Sequence, residues 1–426
     1  VLRHSISDRL EALRRAPLAR ALAEHAARLG TRAWLVGGAL RDAALGLESA
    51  DLDAVVERDA AALAATLARA LGARPVPLGG GHFGAVRLVR GELTLDLWDL
   101  EGAPLEADLA RRDFTVNAIA LDLARGEIVD PHGGLQDLER GILRATRESV
   151  FEEDPLRVIR LARFAATLDG FAADASALRR ARAASCRLDE IPGERIRQEL
   201  GALWRRAAFA PAQRALEEAG AWPALWRPPE AEGAAAAQAS AAPAAALLDA
   251  LAGGSADEAP GPAARVSAGH ALAARAAAGA EAAPAAISRL AGRRALSRAE
   301  RDGALRLLGL LADPPPALDG DLAWLLHRAG RSWRLAFGLA AGFAGGADAA
   351  LWRSLAPRAG ALLAARGEAV LAPVPLLDGD AVAGLLGIEP GPEVGAALDR
   401  LLEAQVRGGV RDAREARATV AGWRRG

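Results

Sequence analysis

The residues with the clearest chemical potential lie between positions 35 and 53. Leu35-Val-Gly-Gly-Ala-Leu-Arg-Asp42 is followed by Gly46 and then by Asp51-Leu-Asp53. Ala-Val-Val follows the two aspartates, a strand signature, and residues two apart on a strand point to one face. Both carboxylates would project from one edge. Unpaired, they repel, and at least one resists ionisation. A pair of Mg²⁺ ions removes that conflict and forms the two-metal site of in-line phosphoryl or nucleotidyl transfer. Each part also has a bland reading. Asp-x-Asp is frequent on solvated strand ends, and Gly-Gly before a helix is common in α/β turns. No Gly-Lys-Ser/Thr follows the glycines, which excludes a Walker loop.

Several elements must position these groups. Trp34–Val36 reads as a short buried strand. Gly37 and Gly38 let the backbone turn and approach a ligand closely. Arg41 and Asp42 lie on a helix start, where free N–H groups favour phosphate. Residues 5 to 29 read as one amphipathic helix. Further strands are expected at Ala85–Val89 and Leu93–Leu97, with Leu78-Gly-Gly-Gly-His-Phe-Gly84 as a glycine-rich turn before the first of these. From about 140 the pattern becomes helical and Arg-rich. Residues 228 to 300 read as short Ala-rich helices joined by flexible turns, partly disordered. Helix periodicity returns over 301 to 366, with Leu305, Leu308, Leu311 and Trp324 as core, and a helical tail starts near 376.

The chain of 426 residues is long enough for two to four domains. A single cysteine, Cys186, precludes an internal disulfide and fits a reducing cytoplasm. No signal peptide or apolar membrane span is visible. All 53 basic residues are Arg, so every phosphate contact falls to Arg, a backbone N–H or a neutral donor. The net charge of −1 does not itself suggest nucleic acid. Arg179, Arg180, Arg182, Arg187, Arg195, Arg197, Arg205 and Arg206 nevertheless cluster, either as an RNA-binding patch or as a solvated face paired with Glu194 and Glu199.

More motifs follow in order. They are Arg111-Arg-Asp-Phe-Thr-Val-Asn-Ala-Ile-Ala120, Asp130-Pro-His-Gly-Gly-Leu-Gln-Asp137 with Gly141-Ile-Leu-Arg144, Phe151-Glu-Glu-Asp-Pro-Leu-Arg-Val-Ile-Arg-Leu-Ala-Arg-Phe164, and Glu194-Arg-Ile-Arg-Gln-Glu-Leu200. Over roughly residues 20 to 215 the chain closely resembles the class II tRNA nucleotidyltransferase and bacterial poly(A) polymerase family, which includes the CCA-adding enzymes. The tail, from Leu376-Leu-Asp-Gly-Asp380 onward, is similar to the end of many members. The resemblance implies an α+β fold: a nucleotidyltransferase head with a small mixed β-sheet over 1–140, a helical neck over 141–215, the Ala/Pro/Gly-rich segment over 216–300, and a helical body and tail over 301–426. It implies Mg²⁺, CTP and ATP, and the tRNA 3′ end as acceptor, in the cytoplasm, with no membrane and no obligate protein partner. No His-Asp metal motif appears in the C-terminal half, so the phosphohydrolase domain of some members is not expected.

The same resemblance implies roles by residue. Asp51 and Asp53 hold the metals. Asp96 is the third catalytic carboxylate, with Asp99 as the alternative. Arg41 and the Gly38 N–H meet the triphosphate, and Arg112 contacts the nucleotide. Asp113 and Asn117 orient Arg112 or hold the ribose; their bland readings are a helix N-cap and a buried polar link. Asp154, Arg157, Arg160 and Arg163 recur every three residues along one side of a helix. They form either a surface ladder or, as the family implies, a base-reading row. In that row Asp154 and Arg157 meet the pairing edge, and Arg160 and Arg163 reach phosphates or brace the pair.

The expected function is template-independent addition of C and A to tRNA 3′ ends, with poly(A) polymerase as the alternative within the family and a silent RNA-binding homologue or a small-molecule nucleotidyltransferase outside it. Members that complete C-C-A usually carry a longer flexible loop between the positions of Asp96 and Arg111. Here Glu106–Leu109 already reads as helix, leaving a short turn around Gly102-Ala-Pro104. A partial enzyme that adds C-C and stops is therefore a second expectation.

Overall fold

Pro17 divides the helical stretch expected over residues 5 to 29. The computed structural model describes residues 5–49, 51–78, 85–91, 93–226, 262–293, 295–312, 315–343 and 346–423. In it α1 runs Ile6–Arg15 and α2 runs Pro17–Arg28. Ala16 between them is extended (φ −59°, ψ 147°), because a proline ring disfavours a helical predecessor. Ser5 and Asp8 close a reciprocal capping box that starts α1.

A seven-stranded mixed sheet follows, in the order β3-β4-β5-β2-β1-β6-β7. Its strands are β1 (Ala33–Val36), β2 (Asp51–Val56), β3 (Arg74–Pro77), β4 (Val86–Arg90), β5 (Leu93–Asp99), β6 (Ala120–Asp122) and β7 (Ile128–Val129). β2 and β5 pair in parallel, and the other neighbours pair antiparallel. Leu35, Val36, Ala54, Val55 and Val56 are fully buried, so β1 and the second half of β2 form the floor of the core. The helices α3 (Gly38–Leu45), α4 (Ala60–Leu71) and α5 (Leu105–Ala110) connect the strands. Leu105 and Leu109 of α5 pack with Trp34, Val36 and Val55. β3 escaped the sequence reading because it carries Pro75 and Pro77, which an edge strand tolerates. The glycine-rich turn expected over 78–84 lies, beyond Leu78, outside the described residues.

The Asp130–Asp137 motif folds as a brace. Asp130 accepts the Gly134 and Leu135 N–H groups at 2.7 and 2.9 Å, starting α6 (Gly134–Arg140). A Cβ on Gly134 would lie 2.2 Å from the Thr115 carbonyl oxygen, so only glycine fits there. Asp137 accepts from the Thr115 hydroxyl at 2.7 Å and from Arg144 through two nitrogens at 3.0 Å. Next come α7 (Val150–Glu153), α8 (Arg157–Thr167) and α9 (Ala175–Ala184). A two-stranded sheet of β8 (Ile142–Leu143) and β9 (Ala172–Ala173) joins this region.

By internal packing the chain divides into Val1–Glu190 with Glu218–Ala221 and Ile191–Glu217 with Trp222–Gly426. The described residues of the second unit are helical and carry no strand. It holds α10 (Gly193–Arg206), most of α11 (Phe209–Glu218) and α12 (Ala221–Trp226), and all of α13 (Pro262–Gly292). The short helices expected over 228–300 are therefore one 31-residue helix across 262–292, with Pro284 inside it; residues 227–261 lie outside the described residues. In the helix Arg298–Ala312 the buried face is Ala304, Leu307, Leu308 and Leu310, while Leu305 and Leu311 are half-buried, as is Trp324. No described helix is long and apolar enough to cross a membrane.

His270 on α13 is completely buried, with Trp204 and Trp226 at ring-centroid distances of 6.1 and 6.3 Å. Neither ring nitrogen has a hydrogen-bond partner among the described residues. Burial holds this imidazole down at about 4, against a weak opposing pull from Glu300. The unfolded chain therefore binds a proton that the folded chain refuses. The corresponding stability is present above the ordinary histidine value of about 6.5 and is lost as pH falls towards 4. Between pH 7.5 and 5 this costs about 2 kcal/mol at roughly 1.4 kcal/mol per unit. Urea unfolding followed by tryptophan fluorescence at the two pH values should show this loss in the wild type and not in His270→Phe. Equal losses in both would remove His270 as the cause.

Candidate active site

The pairing of β2 with β5 decides where the carboxylates meet. Asp53 and Asp96 are Cα partners across the parallel ladder, and Asp51 is the partner of Thr94. Asp51 is exposed and Asp53 half-buried. Burial pushes the Asp53 carboxyl up; Arg112 opposes that shift, while Asp96 and Asp51 add to it. The Thr94 hydroxyl donates to Asp51 Oδ1 at 2.5 Å and fixes its rotamer. Asp96 is held by Arg87, its cross-strand partner on β4, through two N–H···O bonds of 2.7 Å. Asp99, the alternative third carboxylate, instead accepts the Ala60 N–H at 2.7 Å at the start of α4. Thr94 and Arg87 were not singled out in the sequence. Their signal was there in period-two alternation, but it needs the strand pairing to be read.

The glycine turn lies against the same carboxylate. Gly37 has φ 79° and ψ −146°, a conformation open essentially to glycine alone. A Cβ there would sit 2.9 Å from both Asp53 Oδ2 and Arg112 Nη1. Gly37, rather than Gly38, makes the close approach; a Cβ on Gly38 would meet Arg41 at 3.4 Å. Arg112 donates to Asp108 at 2.9 Å and lies 5.6 Å from the Trp98 ring centroid. Its buried Nε has no partner among the described residues. Asp108, also overlooked in the sequence, is buried and further accepts from Trp98 Nε1 and Arg111 at 3.3 Å.

A cleft of about 590 Å³ opens beside these residues and is lined by Trp98, Asp108, Arg112, Asp154 and Arg157, among others. Asp154 is not on the helix expected to carry it. It follows α7 in extended backbone (φ −145°, ψ 94°), and α8 begins at Arg157. The proline at 155 explains the break. Arg157 donates to the carbonyls of Val150 at 3.2 Å and Arg111 at 2.9 Å, which holds it at the cleft wall. Ile159, Ala162 and Phe164 fill the buried side of α8, as expected.

Arg41 and Arg160 turn inward. Arg41 is 8% exposed; it donates to Asp42 at 2.8 and 2.6 Å and to Asn117 at 2.7 Å. Asn117 donates to Asp113 at 2.8 Å. Asp113 also takes Arg160 Nε at 2.8 Å and the Phe114 N–H at 2.8 Å. Burial would raise the Asp113 carboxyl, but the Arg160 charge and these hydrogen bonds hold it at about 2. Arg41, Arg160 and Arg163 surround the Phe164 ring at 4.7, 5.6 and 4.2 Å. Asp113 caps no helix, and Asn117 is the buried polar link its bland reading described.

The basic cluster divides at the boundary between the units, with Arg179–Arg187 in the first and Arg195–Arg206 in the second. Arg180 pairs with Glu148 at 2.9 Å and Arg187 with Glu190 at 2.7 Å, so part of it is a paired surface. Among the described residues no group of three or more His, Cys, Asp or Glu side chains is arranged around a common metal position.

The family model of the poly A polymerase head domain matches residues 98–144. A CC-adding tRNA nucleotidyltransferase of Geobacter sulfurreducens is 39% identical over 186 residues, 43% of each chain. A multifunctional CCA protein of Xanthomonas campestris is 40% identical over 210 residues, 45% of this chain and 50% of the relative. An A-adding tRNA nucleotidyltransferase of Deinococcus radiodurans is 44% identical over 178 residues, 41% of this chain and 40% of the relative. The chain thus spans about half the length, or less, of the curated relatives it matches. Fold similarity extends further. The Thermotoga maritima CCA-adding enzyme complexed with tRNA aligns over 99% of this chain and 98% of its own, with a TM-score of 0.64 at 21% identity. Over its N-terminal part the chain is thus similar to tRNA nucleotidyltransferases, within it to the poly A polymerase head domain, and its fold is that of a CCA-adding enzyme.

Proposed function

We propose that the chain is a template-independent RNA nucleotidyltransferase that extends the 3′ end of tRNA with nucleotides from CTP and ATP, in the cytoplasm. The observation that carries this reading is the joining, in one unit, of paired strand carboxylates to a cleft walled by Asp154, Arg157 and Arg112. The tRNA 3′-hydroxyl attacks the α-phosphorus, a new phosphodiester forms, and pyrophosphate leaves. In this assignment residues 1–140 are the head, 141–215 the neck, and 216–300 and 301–426 the helical remainder.

Asp51 and Asp53 would hold Mg²⁺. An all-oxygen pair of adjacent carboxylates, one of them pushed towards protonation by burial and its neighbours, suits a hard divalent cation. Mg²⁺ is commonly bound by one or two carboxylates together with substrate phosphates, so no larger protein cage is needed. When bound, the ion supplies charge stabilisation for displacement at phosphorus. Thr94 keeps Asp51 aimed, and Arg87 keeps Asp96 stationary beside Asp53. Arg112, with its unpartnered Nε and its Nη1 beside Gly37, is the cationic group best placed for the nucleotide phosphates or sugar. Gly38 contributes its backbone N–H, and Arg41 supports that turn from beneath. Arg157 donates to the pairing edge of the base while Asp154 accepts from it, and such a pair can serve both cytosine and adenine. Arg160 and Arg163 brace the helix that carries Arg157.

A second reading, addition of C-C only, is favoured by one observation. β5 ends at Asp99 and α5 begins at Leu105, so only a tight turn with Glu101 and Gly102 at positive φ joins them. No room remains there for a long gating loop.

Three outcomes are expected. With tRNA lacking its 3′ end and both nucleotides supplied, sequencing of the products should show added C residues. A terminal A identifies full C-C-A addition, its absence identifies C-C addition, and failure to extend tRNA at all would overturn the assignment. Asp51→Ala and Asp53→Ala should each abolish transfer with the melting temperature kept, and calorimetry should show weakened Mg²⁺ binding; near-normal turnover in either would remove it as a metal ligand. Arg157→Ala should flatten the ranking of CTP, ATP, UTP and GTP more than it weakens triphosphate binding, by on the order of 1–3 kcal/mol. An unchanged ranking would dismiss the base-reading role.

A further inference from the structure

The sheet face that carries the carboxylates continues outward onto basic ground. Cα partners across a ladder point to one side, as do residues two apart on a strand. Asp53 pairs with Asp96, Asp96 with Arg87, and Thr94 with Val89. On the outer side Val76 pairs with Arg87, and Arg74 with Val89. Arg87 of β4 and Arg74 of the edge strand β3 therefore share a face with Asp51, Asp53 and Asp96. Arg90, three residues beyond Arg87, shares the opposite face with the buried Leu88.

Arg87 spends one edge of its guanidinium on Asp96. Nε and Nη2 each donate at 2.7 Å, and the side chain is still 44% exposed. A guanidinium carries five N–H donors. The fork uses two of them, and Nη1 has no hydrogen-bond partner among the described residues. Arg74 is exposed, and its side chain makes no hydrogen bond or ion pair among the described residues. Neither arginine lines the cleft that holds Arg112 and Arg157. That cleft lies towards Trp98, whereas Arg74 is level with Thr94, four residues and about 13 Å back along β5. The incoming nucleotide thus leaves both cations unused. An RNA strand that presents its 3′-hydroxyl here brings phosphates up to three carboxylates, and it needs fixed positive charge beside them.

We infer that Arg87 and Arg74 form a phosphate track for the RNA acceptor strand. Arg87 takes the phosphate nearest the attacking 3′-hydroxyl through Nη1 while it still holds Asp96. Arg74 takes a phosphate further back, two strand spacings or about 10 Å from β5. The inference rests on the nucleotidyltransferase reading above and adds the side from which the RNA enters. A lysine at position 87 would supply the charge but could not hold both partners in one rigid plane.

The test reads binding apart from transfer. It uses the full chain and tRNA lacking its 3′ end, without nucleotide, with Kd measured by fluorescence anisotropy over a range of KCl. Each lost phosphate contact lowers the slope of log Kd against log salt by about 0.7 to 0.9. Arg74→Gln and Arg87→Gln should each reduce the slope by that amount and weaken binding by roughly threefold to tenfold, and the double variant should lose about twice as much slope. Arg90→Gln, on the other face, should keep the wild-type slope. A tRNA with a neutral methylphosphonate as its last internucleotide linkage should bind the wild type and Arg74→Gln more weakly than ordinary tRNA, and Arg87→Gln no more weakly. Arg87→Lys should recover the binding slope but not turnover at saturating RNA. Unchanged slopes in Arg74→Gln and Arg87→Gln overturn the track. An equal slope loss in Arg90→Gln also overturns it, because the attraction is then diffuse. Equal sensitivity of the wild type and Arg87→Gln to the methylphosphonate removes the Arg87 contact. If Arg87→Gln fails to fold, Arg74→Gln, which has no partner to lose, decides the matter alone. A wild type that binds the RNA but never extends it counts against the transfer reading, and the binding slopes still decide the track; a wild type that does not bind the RNA overturns both.

Discussion

Like charges held side by side are the constraint around which the first unit is built. Pairing β2 with β5 in parallel puts Asp53 directly beside Asp96, with Asp51 two residues along the same strand. Water would separate such groups, and two paired interior strands cannot. The surroundings answer with fixed counter-charge. Arg87 grips Asp96 from the next strand, Arg112 stands beside Asp53, and Thr94 ties Asp51. A slip of β2 by one residue would turn Asp51 and Asp53 to the opposite face, away from Thr94, Asp96 and Arg112.

Arginine serves two distinct purposes in this unit, and the chain uses it for both because it has no lysine. Arg41, Arg87, Arg144 and Arg160 spend their donors on Asp42, Asp96, Asp137 and Asp113. These pairs are planar and directional, which a lysine ammonium could not reproduce. Arg112 and Arg157 line the cleft instead. The distinction cannot be drawn from spacing. It depends on where strand order and helix packing place each guanidinium, for Arg112 lines the cleft while also donating to the buried Asp108.

Much of this was legible beforehand. The turn after Val36, the strand at Asp51–Val56, the strand at Leu93 and the short link into α5 all follow from local pattern, where alternation and glycine placement act within a few residues. The helical row from Arg157 to Phe164 is legible too, but Asp154 is not part of it, because Pro155 breaks the three-residue spacing before α8 begins. Pro17 cut an expected helix, yet Pro284 sits inside a long one. The same residue type breaks or is accommodated according to tertiary packing, which sequence alone does not display. The prolines of β3 hid an edge strand for the same reason. The inward commitment of Arg41 rests on its neighbour Asp42 and on Asn117, 76 residues away, and the second of these had no local signal.

The brace around Gly134 bears on how such chains change over generations. Its glycine is trapped under the Thr115 carbonyl, and Asp130 and Asp137 are consumed by backbone and Arg144 contacts. Nothing in that arrangement touches Asp51, Asp53 or Asp96, and the head-domain match over residues 98–144 contains none of the three. The brace and the reactive carboxylates therefore occupy separate sets of positions. A descendant that lost its reactive carboxylates would keep this segment intact for as long as it needed to fold, and its ancestry would remain visible after its chemistry had gone.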